Sequence, residues 1–181
     1  MIYVALLRGI NVGGKNRVEM GRLRATFEDL GLARVSTYIN TGNVIFSDEN
    51  RSTEVLVPSL EAAIAGEFGF DLKVLLRDID TMSATEDALP AAWANDAGTK
   101  SDVMFLWEGV DDPSVIDALP VKAGIDEVVY VPGAVMWRVD RANLTRSGMR
   151  RLVGTKLYRE MTIRNCNTVR KLVELMRQAS A

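Results

Sequence analysis

The alternation of short apolar runs with helical patterns over the first eighty residues most constrains what this chain can fold into. Residues 2–7 form a continuous apolar run typical of a buried strand, and Met20, Leu23, Phe27 and Leu30 then recur at helical spacing. The pattern continues with predicted strands over 35–39 and 44–46, a helix over 56–68 and a strand over 72–76. This β-α-β-β-α-β order predicts a ferredoxin-like (alpha-beta plait) fold.

A similar order restarts after a polar connection. The predicted elements are strands over 103–107, 128–131, 134–139 and 160–164, helices near 111–119 and 144–153, and a last helix capped by Asn165 or Asn167. We therefore predict an α+β protein with two ferredoxin-like subdomains. The predicted division is an N-terminal subdomain over 1–79, a helical linker over 80–99 and a C-terminal subdomain over 100–181.

The chain contains no histidine among its 181 residues. This excludes Ser-His and Cys-His catalytic pairs and every His-based metal site, and no cofactor or metal is predicted. The single Cys166 cannot form an intramolecular disulfide, no apolar run approaches the ~20 residues of a membrane span, and residues 1–8 lack the features of a leader. We therefore expect a cytoplasmic protein with no membrane partner.

Charge is distributed unevenly along the chain although the net charge is only −2. Residues 138–181 carry eleven Lys or Arg against three Asp or Glu, whereas residues 35–137 carry five against eighteen. Such asymmetry is typical of an anion-facing surface opposite an acidic one. It is equally what basic helices produce when they are simply solvated or paired with the acidic middle of the chain.

The glycine-rich segment over 8–18 nearly matches the phosphate-binding P-loop pattern. Asn16 stands where the pattern needs a hydroxyl for Mg²⁺, and the next helix is predicted to begin only near Glu19. The strand that follows is joined by a hairpin rather than by the crossover of a parallel sheet. These departures argue against a nucleoside-triphosphate P-loop.

Three separated motifs, VALLRGINVGGKNRVEM, TYINTGNVIF and TIRNCNTVRKL, resemble the bacterial family catalogued as domain of unknown function 1697. The resemblance extends along essentially the whole chain. It implies two ferredoxin-like subdomains and no established activity. One departure is visible, since Cys166 stands where the C-terminal motif of the family usually has tryptophan.

These motifs combine amides, cations and exposed glycine backbone with few acids, which is the chemistry that recognises phosphate or carboxylate. We predict a binding or interaction protein with a polar, basic site for a small anion where the N-terminal glycine loop meets the C-terminal Arg-Asn motif. The predicted ligand-binding residues are Arg8, Asn11, Gly13, Gly14, Lys15, Thr41, Asn43, Arg164, Asn165 and Asn167. The same residue types also build tight turns and helix caps, so a purely structural role is the competing interpretation.

Two other functions stay open at this stage. One is a histidine-free enzyme acting on a phosphorylated or carboxylated small molecule, with a carboxylate as base and no catalytic residue assigned. The other is a nucleic-acid-binding module, because ferredoxin-like sheets can stack bases and the C-terminal segment is basic, although the paired aromatic signature is missing. The sequence does not determine the oligomeric state.

Overall fold

A computed structural model describes residues 1–180, over which the chain forms eight strands and five α-helices. In chain order these are β1 (Ile2–Leu7), α1 (Met20–Asp29), β2 (Ala33–Tyr38), β3 (Asn43–Ser47), α2 (Thr53–Phe68), β4 (Val74–Asp78), α3 (Ile79–Ala88), β5 (Thr99–Leu106), β6 (Asp126–Val131), β7 (Ala134–Asp140), α4 (Met149–Leu152), β8 (Met161–Asn165) and α5 (Cys166–Ser180). Within the described residues, no helix has both the length and the apolar character that a bilayer crossing requires.

The chain divides into two compact units. The first comprises Met1–Met82 together with the chain from Leu172 onward, and the second comprises Ser83–Lys171. Each unit contains one four-stranded antiparallel sheet with helices, so the protein is of mixed α+β class. The boundaries at residues 79 and 100 expected from the sequence stay a prediction.

The sheet of the first unit has the strand order β2-β3-β1-β4, with every neighbouring pair antiparallel. The apolar run of β1 occupies a central position, with Val4 opposite Ile45 on β3 and Arg77 on β4. A core cluster joins this sheet to α1 and α2, and within it the rings of Phe27 and Phe46 meet edge to face at 5.6 Å between centroids. The periodic apolar residues of the sequence are therefore those that cover the sheet.

Left-handed glycines end helices α1 and α2. Gly31 follows α1 with a φ of +76°, and its amide donates to the carbonyl of Glu28 at 2.8 Å. Gly69 caps α2 with a φ of +77°, and its amide donates to the carbonyl of Ala65 at 2.9 Å. A side chain at either position would be strained, so glycine fixes where each helix stops.

The sheet of the second unit repeats the pattern with the order β6-β7-β5-β8, again antiparallel throughout. Its core cluster contains Met104, Trp137, Leu152 and Met161. The connections differ from those of the first unit, because only 3₁₀ turns and the four-residue helix α4 lie between β5 and β6 and between β7 and β8. These two connections therefore contain much less regular structure than their counterparts in the first unit.

The prediction of a helix over residues 144–153 is wrong in length, because only Met149–Leu152 is α-helical. The hydroxyl of Ser147 and the amide of Gly148 both donate to the carboxylate of Asp126, the latter at 2.9 Å, and these bonds hold the preceding residues in turns. The helix expected near 111–119 is a 3₁₀ segment over Pro113–Ala118. The shortening of the first helix follows from these hydrogen bonds to Asp126, which compete with α-helical pairing.

Candidate functional site

The glycine-rich segment after β1 forms a small hairpin. The amide of Lys15 donates to the carbonyl of Val12 at 3.2 Å across a turn whose central residues, Gly13 and Gly14, have φ values of +60° and +76°. Two successive left-handed residues are what a type I′ hairpin turn requires. Since α1 begins only at Met20 and the sheet is antiparallel, the segment is not a nucleoside-triphosphate P-loop.

Asn11 fixes the base of this hairpin through three hydrogen bonds between its side chain and backbone groups. Its Nδ2 donates to the carbonyls of Val18 at 3.0 Å and Asn40 at 2.8 Å, and its Oδ1 accepts from the amide of Val18 at 2.9 Å. The side chain thereby ties the hairpin to the turn between β2 and β3. These contacts are structural, and they leave Asn11 little capacity for a ligand.

The turn between β2 and β3 is also held from within. Asn43 is fully buried, and its Nδ2 donates to the carbonyl of Tyr38 and to Oγ1 of Thr41, both at 3.0 Å. A Cβ on Gly42, whose φ is +78°, would lie 2.7 Å from the Cβ of Leu7. Turn geometry and close packing against β1 account for these three residues.

A cleft of about 840 Å³ opens beside the hairpin, entirely within the first unit. Three of the predicted ligand-binding residues, Asn11, Gly14 and Lys15, line it. Its other polar lining residues are Arg17, Glu19, Arg22 and Asn40, and its apolar lining consists of Val18, Met20 and Phe68.

Lys15 and Arg17 bring unneutralised positive charge to this cleft. Both residues are exposed, and neither side chain forms an ion pair or hydrogen bond with any part of residues 1–180. Arg22, in contrast, is paired with Glu67, to which its Nε donates at 2.7 Å, and it lies 5.3 Å from the centroid of the Phe68 ring. The charge available to an anion therefore comes from Lys15 and Arg17.

The N-terminus of α1 lies at the same cleft, which Glu19 and Met20 both line. Glu19 occupies the cap position with extended backbone, but its side chain makes no capping hydrogen bond, and the first helical turn holds no acidic residue. An uncapped helix start presents backbone N–H groups and the positive end of the helix dipole. This adds a second feature that favours an anion.

The remaining predicted residues of the first unit do not line the cleft. Arg8 is half-buried after β1, where its amide donates to the carbonyl of Lys73 at 3.2 Å. Gly13, Thr41 and Asn43 serve the two turns already described. Conversely, seven lining residues were not among the predicted ligand-binding residues, namely Arg17, Val18, Glu19, Met20, Arg22, Asn40 and Phe68. Glu19 and Met20 are signalled only by their position where the loop meets the helix, and Phe68 carries no such signal because it comes from the distant end of α2.

Arg164 belongs to the second unit, where it lies on β8 opposite Val103. The residue is buried, and its Nη1 donates to Oγ1 of Thr162 at 3.1 Å and to the carbonyl of Ile163 at 2.8 Å. Burial lowers the pKa of the Arg164 guanidinium to about 10, which still leaves it protonated at neutral pH.

The two asparagines of the C-terminal motif have backbone partners within the second unit. Asn165 caps α5, since its Oδ1 accepts from the amide of Thr168 at 2.9 Å. Asn167 donates through Nδ2 to the carbonyl of Asn95 at 2.9 Å. Cys166 between them is fully buried, and burial raises the pKa of its thiol, which disfavours a nucleophilic role.

No metal centre is formed within residues 1–180, where no three or more carboxylates and thiols converge as metal ligands do. The cleft at the hairpin gathers polar groups of another kind. It combines two unpaired cations, an uncapped helix start and one carboxylate.

Comparison with known proteins gives a family match and a structural match. A family described as "Protein of unknown function (DUF1697)" matches residues 1–137. Among solved structures, the conserved bacterial protein SP0830 from Streptococcus pneumoniae is similar to this chain with a TM-score of 0.83 and 32% sequence identity, over 97% of this chain and 98% of that one. No curated protein matches the chain.

Proposed function

The chain belongs to the DUF1697 family of proteins of unknown function, so we propose a function from its own geometry, namely binding of a small anion in the cleft beside the glycine hairpin. The observation that carries the proposal is the unpaired state of Lys15 and Arg17 among the described residues of this cleft. A single exposed cation is usually just hydrated and does not indicate a binding site. Here two of them lie beside an uncapped helix start, so three features that favour an anion occur in one cleft.

The ligand class follows from the donors. Backbone N–H groups at the start of α1 and the charges of Lys15 and Arg17 favour phosphate or carboxylate oxygens. The amide of Gly14, which lines the cleft, has no acceptor among residues 1–180 and adds a further donor. We therefore favour a phosphorylated or carboxylated small molecule over a neutral one.

The test uses pyrophosphate as the probe and protein labelled with ¹³C at the methionine methyl groups. Met20 lines the cleft, so its methyl signal should shift as pyrophosphate binds. Lys15→Gln and Arg17→Gln should each weaken binding by about tenfold, the usual consequence of losing a charge-assisted contact. Arg24→Gln is the matched control, because Arg24 is an exposed arginine of α1 that pairs with Glu28 and does not line the cleft.

Two results would count against the proposal. One is the absence of any Met20 shift with pyrophosphate, citrate or sugar phosphates at low salt. The other is equal weakening in the Arg24 variant and in the Lys15 and Arg17 variants, which would indicate attraction to general surface charge. Binding confined to oligonucleotides and abolished by moderate salt would instead favour the nucleic-acid alternative.

A histidine-free enzyme acting at the same cleft is the second candidate, and the presence of Glu19 favours it. This carboxylate lines the same cleft as Lys15 and Arg17, so it is the candidate general base for an anion held by the two cations. Turnover of a phosphorylated substrate should then be abolished in Glu19→Gln while the affinity for pyrophosphate is retained. Retention of turnover in that variant would refute the assignment.

The finer predictions from the sequence remain part of this proposal. The strand orders β2-β3-β1-β4 and β6-β7-β5-β8 support the ferredoxin-like assignment of both halves. The participation of Arg164, Asn165 and Asn167 in the anion site stays a prediction, and their structural bonds within the second unit are the competing explanation.

A further inference from the structure

The second unit contains its own cavity, of about 260 Å³, on the core side of its sheet. Met104 of β5 and Ile163 of β8 form the sheet side, and Leu144, Met149 and Leu152 form the opposite side. Most of these side chains also belong to or pack against the hydrophobic core cluster of this unit. The cavity is thus an opening into an apolar interior.

The cavity exists because the covering layer is incomplete. In the first unit, α1 and α2 supply 10 and 16 helical residues over the sheet. In the second unit, the segment between β7 and β8 contributes only the four-residue helix α4 and 3₁₀ turns. The hydrogen bonds of Ser147 and Gly148 to Asp126 keep this segment from forming a longer helix.

Charge at the cavity is asymmetric. Lys100 and Asp102 line it as an ion pair at 2.7 Å and so neutralise each other, whereas Arg150 lines it with no partner among residues 1–180. The surrounding segment, residues 141–159, contains six Lys or Arg and no Asp or Glu. A ligand with an apolar body and one negative end complements both properties.

We propose that this cavity is a second ligand site, independent of the hairpin cleft, for a small amphipathic carboxylate whose chain enters the apolar interior and whose carboxylate meets Arg150. At the roughly 30 Å³ that a water molecule occupies in the liquid, the volume corresponds to about nine non-hydrogen atoms. Octanoate has the matching size.

The test titrates straight-chain carboxylates from butanoate to decanoate, below their micelle concentrations, into protein labelled at the methionine methyl groups. The methyl signals of Met104 and Met149 should shift, and that of Met20 should not, because only the first two line this cavity. Affinity should rise about fourfold for each added methylene until the cavity is full, and then level off near octanoate.

Two neighbouring arginines provide the matched variants. Arg150→Gln should weaken octanoate binding by about tenfold through the loss of one charge-assisted contact. Arg151→Gln should leave it unchanged, since Arg151 is equally exposed and equally unpaired among the described residues but does not line the cavity.

Three results would overturn the proposal. The first is that the Met104 and Met149 signals stay fixed with every chain length. The second is equal weakening by both arginine variants, which would reflect non-specific charge attraction. The third is binding to vesicles of anionic lipid without binding of monomeric octanoate, which would identify a lipid surface rather than an enclosed site. None of these bears on the hairpin cleft, whose reporter is Met20.

Discussion

Replacement of Gly148 by alanine is expected to destabilise the second unit strongly. A Cβ at this position would lie 1.6 Å from the carbonyl oxygen of Pro120 and 2.5 Å from its carbonyl carbon. Both contacts are with backbone, so no side-chain rotation relieves them. The obstacle is purely spatial, because Gly148 has an ordinary φ of −67°.

The loss in the free energy of unfolding can be estimated from the backbone displacement that the new Cβ requires. Reaching an ordinary contact of 3.4 Å from 1.6 Å requires a displacement of about 1.8 Å. The amide of Gly148 donates to Oδ2 of Asp126 at 2.9 Å, and this bond would not survive such a shift. Losing a hydrogen bond to a charged group costs about 1.5–3 kcal/mol and overpacking about 1–3 kcal/mol, so the free energy of unfolding should fall by about 2.5–6 kcal/mol.

Tryptophan fluorescence during urea denaturation is a specific assay for this unit. All three tryptophans of the chain, Trp93, Trp107 and Trp137, lie within Ser83–Lys171. Gly154→Ala is the control, since a Cβ there has no neighbour within 4 Å and its φ is not left-handed. The control should change the free energy of unfolding by no more than about 1 kcal/mol, in either direction.

The result that refutes this reasoning is a Gly148→Ala protein whose urea midpoint matches that of the wild type. It would mean that the Pro120 and Gly148 backbones separate at negligible cost. The steric explanation for glycine at this position would then be wrong.

Two further predictions concern other parts of the fold. Gly42→Ala should destabilise the first unit by about 2–4 kcal/mol, because it combines a left-handed φ of +78° with a 2.7 Å contact to Leu7, and faster amide exchange in β1 and β3 would show it. Burial raises the pKa of Asp126, but hydrogen bonds from Ser147 and Gly148 outweigh it and hold the pKa below its ordinary value. The stability contributed by Asp126 should therefore be complete above about pH 4 and be lost as the pH falls through its lower folded-state pKa, and Asp126→Asn should reduce this acid dependence in urea titrations. An unchanged acid dependence in that variant would exclude Asp126 as its source.

The elements that local pattern determines were predicted from the sequence. The continuous apolar run of β1 and the helical spacing of Leu23 and Phe27 each fix a strand or helix through residues close in the chain. The segment over 144–153 was not predictable in this way. Its conformation depends on Asp126, about twenty residues earlier, whose carboxylate binds Ser147 and Gly148.

The candidate site was predicted only in part, because some of its features are local in the sequence and others depend on tertiary packing. The hairpin with Gly14 and Lys15 is local, so its turn chemistry and its charge are visible in the sequence. Phe68 reaches the cleft only because α2 packs beside α1, and the burial of Arg164 likewise arises from the tertiary fold. Tertiary packing of this kind has no signature within a single segment.

The first unit is built from two distant segments of the chain, and this affects when it can fold during synthesis. This unit joins Met1–Met82 to the chain from Leu172 onward, and Arg34 donates a hydrogen bond to the carbonyl of Ala179 within it. At a translation rate of roughly 5–20 residues per second, the last part of the unit leaves the ribosome about 5–20 s after the first. The first unit therefore cannot be completed until the chain from Leu172 onward has been synthesised. A nascent chain stalled before Leu172 would contain an incomplete first unit.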